Sequence, residues 1–534
     1  MSLPLSLLLA QQAYCLDPDS PIGREVAGST FLEAYLKFGG NERHHLVVAD
    51  SSHGEWFHQQ AIKHRNDAQT LLTGFDEWGT CASATGAISL PGPGIDEWAW
   101  KRMPWGDAKF SLVGLVHTLC SKQVQWGLGQ FCTAPVRSWD TLICTSSAAK
   151  NVVEGFLERQ EKWLHQRLDA KKFERPQLPV IPLGVHPEQW KPEPNKQEAQ
   201  KNARNKLLID QDAIVVLIAG RLDILTKFHP GPLFRVLADL QRNELPKLEL
   251  LVYGEAPNFG MKNLWLEGVK EAAPFLPIHW VAGRQTDLSA TVRWAADLFI
   301  SLPDNPQETF GLTPLEAMAA ELPCLVSDWD GYKDTVSDEV GVRIPTRLVE
   351  GLGSTEVQKL LNDTLSYDHV VGRLAQGVAV DPVVLRSQLL RLLSNKELLL
   401  KLGKNGRQRV KQYFTWESII GQWRELLVEL KSRRRIAEAS GEEVSPQMPP
   451  WLPNLSTGFE GFASTILKRD QPLYWACPNS PSKAIKLLTE PFDYWDEDLI
   501  NQLNNIENMS PDQFAPRVKG WLLKQGLLIT QQNS

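Results

Sequence analysis

Two glutamates eight residues apart flank a glycine turn in the stretch PDNPQETFGLTPLEAMAAE, residues 303–321. The apolar run before this stretch is typical of a buried strand, and PLEAMAAE is typical of a helix. Glu308 lies in the loop and Glu316 in the first turn of the helix. A strand that feeds a glycine turn and a helix start offers an anion free amides and the helix dipole. Carboxylates beside such a place favour a ligand that also brings hydroxyl groups, such as a sugar or a ribose.

Each glutamate also has an ordinary structural explanation. The segment from Thr313 to Glu316 matches a T-x-x-E capping box with proline at the first helical position, which would make Glu316 a helix cap. Glu308 could be a solvated loop carboxylate, although the neighbouring proline, phenylalanine and glycine constrain its direction.

Two cations follow a second junction of strand and glycine, in VVLIAGRLDILTK, residues 215–227. The apolar run ends at Gly220, and Arg221 and Lys227 follow it. Open α/β sheets bind ligands at the carboxyl ends of their strands. The fork of an arginine and the point charge of a lysine suit a diphosphate there. Taken alone, the pair is better explained as two solvated cations of a surface loop, but the anion-binding helix start of the previous motif favours the ligand-binding role.

A histidine closes a third apolar run, FSLVGLVHTL, residues 110–119. A lone histidine after such a run is either a satisfied structural residue or a functional imidazole. His117 is therefore a candidate that needs support from its surroundings.

The motifs A-G-R-x5-K, E-T-F-G-L-x-x-L-E-A-M-A and V-I-P-x-G-V together resemble the retaining glycosyltransferases of family 4, the group 1 glycosyltransferases. The resemblance extends over about 110–190 and 210–430. SLVGLVHTL and DTLICTSSAAKNVVE are similar to segments of the family's first domain. HWVAGR resembles the strand and loop that hold the nucleotide base, and FTWESIIGQW resembles the helix that crosses back to the first domain.

The resemblance implies an α/β GT-B fold, in which two Rossmann-like, doubly wound domains face a cleft and the second binds a nucleotide-sugar donor. It implies that Arg221 and Lys227 neutralise the leaving diphosphate. It places Glu308 at the donor sugar and Glu316 at the ribose, and it matches His117 to the donor-side histidine of the first domain. The other donor-binding positions that it implies are Gly220, Phe310, Gly311, Leu312, Thr313 and Arg284.

The sequence departs from the family pattern near its start. The family has a glycine-rich loop there, facing the acceptor, whereas residues 17–31 contain Gly23 and Gly28 but no adjacent pair. The acceptor and linkage are therefore left open, as are the donor nucleotide, its sugar and the oligomeric state. The segment 50–106, rich in tryptophan and glycine, matches no part of the family.

The activity implied is transfer of a hexose, with retention, from a nucleoside diphosphate sugar to a carbohydrate or glycolipid acceptor in glycan biosynthesis. A phosphorylase or sugar-nucleotide epimerase of the same architecture is one alternative, and a catalytically idle sugar-binding scaffold is another. A phosphorylase would need a lysine-bound pyridoxal phosphate, and the intact charged motifs disfavour a scaffold.

No metal ion or other cofactor is expected, because the paired cations can serve the diphosphate. The D-x-D tripeptides at 17–19 and 328–330 are too short to predict a metal site. The five histidines between 44 and 64 match no metal-ligand spacing.

Short apolar runs that alternate with amphipathic stretches predict parallel sheets covered by helices. The pattern pauses at the polar stretch 191–206 and then restarts. We therefore expect a first domain over 1–200 and a second over 207–435. A proline-rich linker over 436–457 and a tail of unknown role over 458–534 follow. Within the first domain the pattern predicts a helix at 148–170 and a strand at 178–185.

The composition is that of a globular protein: of 534 residues, 43% are hydrophobic and 22% charged, which excludes a fibrous or wholly disordered chain. A net charge of −7 gives no general attraction to nucleic acid. Seven scattered cysteines favour a reducing cytoplasm over a disulfide framework. The opening apolar run is short and has no basic residues before it, so we expect a buried strand rather than a signal peptide. The basic run 431–435 leaves a peripheral contact with the inner face of a membrane open.

Overall fold

The computed structural model describes residues 2–15, 23–245, 247–351, 353–441, 447–476, 501–502, 505 and 508–530. The chain separates into two compact units, Met1–Gln447 and Met448–Ser534. The D-x-D tripeptide at 17–19 lies outside the described residues, as does the rest of 16–22. Residues 23–31, expected as part of the loop near the start, belong to the helix Gly23–Phe38.

A parallel sheet with the strand order β3-β2-β1-β4-β5-β6 forms the centre of the first domain. Its strands are β1 (Ser6–Leu9), β2 (Arg43–Val48), β3 (Gln69–Thr73), β4 (Ala87–Ser89), β5 (Ser111–Leu115) and β6 (Thr141–Ile143). Its helices are α1 (Gln11–Tyr14), α2 (Gly23–Phe38), α3 (Ser51–His64), α4 (Trp78–Thr85), α5 (Ile95–Arg102), α6 (Lys122–Gln130) and α7 (Ser147–Leu168). Leu7 and Leu9 are buried in the core, so the opening segment is the buried strand that its pattern predicts.

The second domain repeats the same topology, with the strand order β12-β11-β10-β7-β8-β9. Its strands are β7 (Ile214–Ala219), β8 (Leu248–Gly254), β9 (Ile278–Ala282), β10 (Leu298–Ser301), β11 (Cys324–Ser327) and β12 (Gly341–Ile344). The strand order reverses between β7 and β10, which pair directly. Ligands of doubly wound sheets bind at such a reversal, outside the carboxyl ends of the strands.

Helices cover both faces of this second sheet. They are α8 (Lys196–Leu207), α9 (Gly231–Asn243), α10 (Phe259–Ala272), α11 (Ser289–Ala295), α12 (Leu312–Ala319) and α13 (Tyr332–Thr335). An antiparallel pair, β13 (Thr346–Leu348) and β14 (Val378–Val380), encloses two further helices, α14 (Ser354–Leu361) and α15 (Tyr367–Ala375). The chain then forms α16 (Pro382–Leu393), α17 (Lys396–Tyr413) and α18 (Trp416–Ser440).

Two helices connect the domains in opposite senses. α8 lies on the second domain, where the buried guanidinium of Arg204 is 2.8 Å from the carboxylate of Asp297. α18 returns to the first domain and packs on α2, with the rings of Phe31 and Trp423 4.8 Å apart. The long helix at the end of the unit therefore contributes to the core of the first domain.

The tryptophan-rich segment 50–106 completes the first sheet. It supplies β3, β4 and three helices, and the ring of Trp78 contacts Trp98 and Phe110 at 4.8 and 5.2 Å. At its end Arg102 forms a fully buried ion pair of 2.5 Å with Asp140. This segment is thus structural and fixes the loop before β6.

The predicted strand at 178–185 is wrong. The segment makes only isolated bridges, Cys144 with Val180 and Val185 with Thr415. Pro179 and Pro182 have no N–H to donate, so a continuous ladder cannot form. The predicted helix at 148–170 is confirmed as α7.

The second unit has a small core of its own. Within its described part lie α19 (Leu455–Gly458), β15 (Tyr474–Trp475), α20 (Pro516–Lys524) and β16 (Leu528–Ile529), with β15 and β16 antiparallel. Phe514, Val518 and Leu522 are buried together. In the described residues of both units, no helix is long and apolar enough to cross a membrane.

Candidate active site

Lys227 and Glu308 form an ion pair at the reversal point of the second sheet. Lys227 comes from the loop after β7 and Glu308 from the loop after β10, and the lysine Nζ donates to the glutamate Oε2. Only 14% of the lysine side chain and 20% of the glutamate side chain are exposed. Burial alone raises the pKa of Glu308, but the ammonium of Lys227 outweighs burial and the pKa is lowered. Two motifs 81 residues apart therefore meet in one charged pair.

A buried asparagine holds the two loops together. Asn305 donates from Nδ2 to the carbonyl oxygen of Lys227 at 2.6 Å, and its Oδ1 accepts from the amide of Gln307 at 3.0 Å. On the other loop, the carbonyl oxygen of Asp223 accepts from the amide of Lys227 at 3.0 Å. The backbones that carry the ion pair are thus fixed from both sides.

Glycines at the strand ends bring the backbone close to the pair. Gly220 has φ +130°, and a Cβ there would lie 3.7 Å from Cγ2 of Thr313 and 3.9 Å from Cε of Lys227. A Cβ on Gly254, at the end of β8, would come within 1.8 Å of the Gly220 carbonyl oxygen. A side chain at Gly254 is therefore excluded by this clash, and one at Gly220 is disfavoured by the positive φ.

The helix start differs from the predicted capping box. α12 begins at Leu312 after Gly311, whose φ is +81°, and no side chain caps it. Gly311 packs on Tyr332, where a Cβ would approach Cε1 to 2.2 Å. Because the glycine turns the chain into the helix before Thr313, that residue already lies inside the first turn and cannot cap it. Within the described residues its Oγ1 is enclosed and has no partner.

Glu316 pairs with an arginine instead of capping the helix. Its Oε2 accepts from Nη2 of Arg293 on α11, whose side chain is only 2% exposed. Nη1 of Arg293 donates to the carbonyl and hydroxyl oxygens of Ser289 at 2.7 and 2.8 Å. The guanidinium lies 4.5 Å from the ring of Trp190. Sequence reasoning missed Arg293; its one signal was a cation inside the apolar helical run LSATVRWA.

His117 lies where the first domain meets the loop of Glu308. Its Nε2 donates to the carbonyl oxygen of Pro91 at 3.1 Å, and its own carbonyl oxygen accepts from Thr309 Oγ1 at 2.9 Å. Ser146, also of the first domain, donates to the carbonyl oxygen of Thr309 at 2.7 Å. The residue next to Glu308 is therefore held from across the cleft at two points.

The two arginines predicted for the donor site occupy different places. Arg221 is half-buried, and its charge contributes to the lowered pKa of Glu308. Arg284 is exposed after β9, and its backbone amide donates to Glu255 Oε1 at 3.2 Å. Since β9 lies two strands from β7, Arg284 belongs to a separate part of the same sheet edge.

A helix pair that sequence reasoning did not identify also spans the cleft. We call α14 and α15, residues 354–375, the bridging helix pair. Lys122 of the first domain lies 2.8 and 3.0 Å from the two carboxylate oxygens of Asp363. The hydroxyl of Tyr367 lies 3.2 Å from Thr118 Oγ1 and 2.9 Å from Cys120 Sγ. The first-domain residues that make these contacts follow His117 directly in the chain.

The bridging helix pair also contacts the loop of Lys227. A Cβ on Gly372 would approach Cδ2 of Leu225 to 2.6 Å, so α15 lies directly on that loop.

In the part of the chain that the structure describes, no three metal-binding side chains come together. Among the described residues, the charged groups of the site include the two ion pairs and the neighbouring Arg221.

Comparison with known proteins supports the resemblance of the second domain. Residues 199–370 match the family model of group 1 glycosyl transferases. The D-inositol 3-phosphate glycosyltransferase of Segniliparus rotundus is 30% identical over 168 residues, which cover 30% of this chain and 34% of that one. The enzyme of the same name from Stackebrandtia nassauensis is 32% identical over 181 residues, covering 32% and 38%. The chain therefore spans little more than a third of the length of these curated relatives.

A solved structure supports the whole fold of the first unit. The glycosyltransferase from Rickettsia africae superposes with a TM-score of 0.51 at 12% identity, covering 80% of this chain and 97% of that one. The predicted GT-B architecture of two Rossmann-like domains is confirmed. Assignment to family 4 among the group 1 enzymes stays a prediction.

Proposed function

We propose that this chain, whose second domain is of the group 1 glycosyl transferase family, transfers a hexose from a nucleoside diphosphate sugar to a carbohydrate or glycolipid acceptor with retention of configuration. The observation that carries the proposal is the ion pair of Lys227 and Glu308. It joins the two charged motifs at the reversal point of the second sheet, beside the start of α12 and opposite His117.

In this proposal the diphosphate lies between the cations and α12. Lys227 has three N–H donors, so it can keep its bond to Glu308 while donating to a phosphate oxygen. Arg221 is half-buried beside the pair and adds a two-pronged donor. The amides at the start of α12 would donate to the same phosphate, and so would the hydroxyl of Thr313, which has no partner among the described residues. Together they stabilise the charge that develops on the leaving group, which is commonly the largest contribution to such catalysis.

Glu308 serves the sugar rather than the phosphate. Its lowered pKa keeps it ionised at neutral pH, so it accepts hydrogen bonds from sugar hydroxyls. During transfer, the bond from the anomeric carbon to the phosphate oxygen breaks and a bond to the acceptor oxygen forms on the same face. The acceptor proton passes to the leaving phosphate. Because both bond changes occur on one face without a covalent glycosyl-enzyme, Glu308 does not act as a nucleophile.

The nucleoside extends along the sheet edge from β7 toward β9. Glu316, held by Arg293, accepts from the ribose, and the segment around Arg284 contacts the base. His117 completes the sugar site from the first domain, with its orientation fixed by the bond to the carbonyl of Pro91. The acceptor enters from the side of the first domain. If the acceptor is a glycolipid, that domain contacts the membrane surface that carries it.

The test is release of nucleoside diphosphate from UDP-, GDP- and ADP-sugars in the presence of candidate acceptors. D-inositol 3-phosphate belongs in that panel because the curated relatives are named for it. Proton NMR of the product reads the anomeric configuration, and an EDTA arm tests whether the cations suffice without a metal ion. An inverted product would exclude retention. Donor binding without any turnover or hydrolysis would favour a sugar-binding scaffold.

A further inference from the structure

A third carboxylate borders the Lys227–Glu308 pair, in the loop Asp328-Trp329-Asp330 after β11. This loop docks on the loop that carries Glu308. Trp329 Nε1 donates to the carbonyl oxygen of Asn305 at 2.8 Å. A Cβ on Gly331 would come within 2.5 Å of Cα of Phe310. The D-x-D tripeptide at 328–330 therefore belongs to the site because its loop packs on the loop of Glu308, and not because it resembles a metal motif.

Asp330 is held in an unusual backbone conformation. Its φ of +44° lies in the left-handed region, which favours glycine, asparagine and aspartate. Its Oδ1 accepts from the amide of Tyr332 at 2.9 Å. Its Oδ2 is enclosed and, among the described residues, no group donates to it. An ionised oxygen in that position would lack both water and a hydrogen-bond donor, which is costly.

Two charged groups and one neutral hydroxyl face Asp330 from three elements. Glu308 lies on the loop after β10, Lys227 on the loop after β7, and the Tyr332 hydroxyl on α13. Burial raises the pKa of Asp330 well above its usual range, and the charge of Glu308 raises it further, while Lys227 acts against both. One ammonium thus faces two carboxylates in a space with little water.

We propose that Asp330 is a positioning residue that holds a proton on its carboxyl group in the ligand-free protein. The two carboxylates then share a single negative charge, and this charge balances Lys227. Ionised Asp330 would compete with Glu308 for the ammonium and would repel an incoming diphosphate. The consequence for turnover rests on the proposed function, whereas the protonation itself does not.

Asp330→Asn is the sharp variant, because asparagine resembles the protonated carboxyl group and tolerates left-handed φ. The first measurement is the thermal midpoint of the ligand-free protein from pH 5.5 to 9. A buried acid with a raised pKa takes up a proton on folding, so wild-type stability falls as pH rises above the unfolded pKa of about 4. Asp330→Asn removes this contribution, so its thermal midpoint should rise relative to the wild-type midpoint as pH increases.

A second buried carboxyl group provides the matched control. Asp304 accepts from the amide of His229, and burial raises its pKa to about 7. Asp304→Asn shows how much of the pH dependence comes from that group. A midpoint difference between Asp330→Asn and wild type that does not change with pH would overturn the proposal, since Asp330 would then be ionised throughout.

The second measurement is the pH profile of nucleoside diphosphate release. Wild-type turnover should decline on the alkaline side, and Asp330→Asn should move this decline to higher pH while retaining turnover within about three-fold at neutral pH. Asp330→Ala removes the bond to the Tyr332 amide and should lose about ten-fold. Strong loss in Asp330→Asn with an unchanged profile would show that the charge is needed. If no donor is turned over, the thermal measurement still decides the protonation state.

Discussion

Ser146 donates a 2.7 Å hydrogen bond across the cleft to the carbonyl oxygen of Thr309, the residue that follows Glu308. Thr309 in turn donates to the carbonyl oxygen of His117 at 2.9 Å. The loop of the proposed sugar-binding glutamate is therefore held by the first domain. In the proposed function a donor enters between the domains, so we expect these bonds to break and form again during each turnover.

Thr309→Val removes the bond to His117 and keeps the side-chain shape. The lost hydrogen bond contributes about 1 kcal/mol, so we expect turnover to fall about five-fold. Donor affinity of the second domain should change less, because Lys227 and Glu308 remain. Steady-state kinetics with calorimetric donor binding provide the check. Equal losses in affinity and turnover would mean that Thr309 acts on the donor and not on the contact between domains.

The Lys122–Asp363 pair permits a charge-exchange test of the bridging helix pair. The side chains of Lys122 and Asp363 are 40% and 78% exposed. Such solvent-exposed pairs contribute about 0.2–1 kcal/mol, so Lys122→Asp should lower turnover by only about two- to five-fold. The exchanged double variant, Lys122→Asp with Asp363→Lys, should recover most of it. High salt should reduce the difference between wild type and the single variant. No recovery in the double variant would show that the ion pair itself does not hold the helix pair.

Lys227→Ala and Arg221→Ala should each lower turnover by about 10²–10³, the usual loss for one group that stabilises developing charge. Their stabilities should differ. Lys227→Ala leaves Glu308 buried without its cation, whereas Arg221 is half-buried and its removal leaves the pair intact. Arg347→Ala, which removes an arginine side chain that is 76% exposed on β13, is the matched control and should retain turnover. Normal turnover in both site variants would refute the phosphate role.

The pH dependence of Lys227→Ala follows from the lowered pKa of Glu308. A carboxylate whose folded pKa is lowered adds stability above its unfolded pKa of about 4.3, and this stability is lost as pH falls. The midpoint of Lys227→Ala should therefore lie below wild type at pH 7, and the gap should narrow below about pH 4. Thermal unfolding from pH 3 to 8 measures it. A gap that widens on acidification would contradict the ion pair.

The meeting of the two charged motifs was predictable from sequence, because both follow apolar runs that end in glycine or a loop. Strand ends of a parallel sheet lie along one edge, so Lys227 and Glu308 had to be near each other once β7 and β10 were neighbours. The family resemblance supplied that neighbourhood. The first-domain strands β5 and β6 were predictable for the same reason, because each lies in a continuous apolar run.

What was missed depends on contacts between distant residues. From the sequence alone, Arg293 is an isolated cation, and only the fold places Glu316 of α12 beside it. Asp330 likewise has no sequence signal, because its burial depends on the packing of its loop against Phe310. The predicted capping box is wrong because the local pattern contains no information about Tyr332. The ring of Tyr332 leaves no room for a side chain at Gly311. The bridging helix pair gave only weak helical patterns, and its meaning comes from the first-domain side chains that it contacts.

Substitution by glutamine distinguishes the proposed roles of Glu308 and Glu316. Glu316→Gln keeps one acceptor for a ribose hydroxyl but loses the charge that faces buried Arg293. A charge-assisted hydrogen bond contributes about 1.5–3 kcal/mol, so donor affinity should fall about ten-fold or more. The thermal midpoint should fall as well. If the role of Glu316 is only to pair with Arg293, the midpoint falls while the calorimetric affinity stays at the wild-type value.

Glu308→Gln should affect turnover instead. In the proposed function its carboxylate lies beside the carbon that gains positive charge as the bond to phosphate breaks, so we expect its contribution mainly in the transition state. Donor affinity should change less than in Glu316→Gln, because Lys227 is released from its pair and remains available to the diphosphate. Measuring both constants for both variants at one pH gives the comparison. Wild-type affinity and turnover in both would remove the two carboxylates from the site, and the proposed function would lose the pair on which it rests.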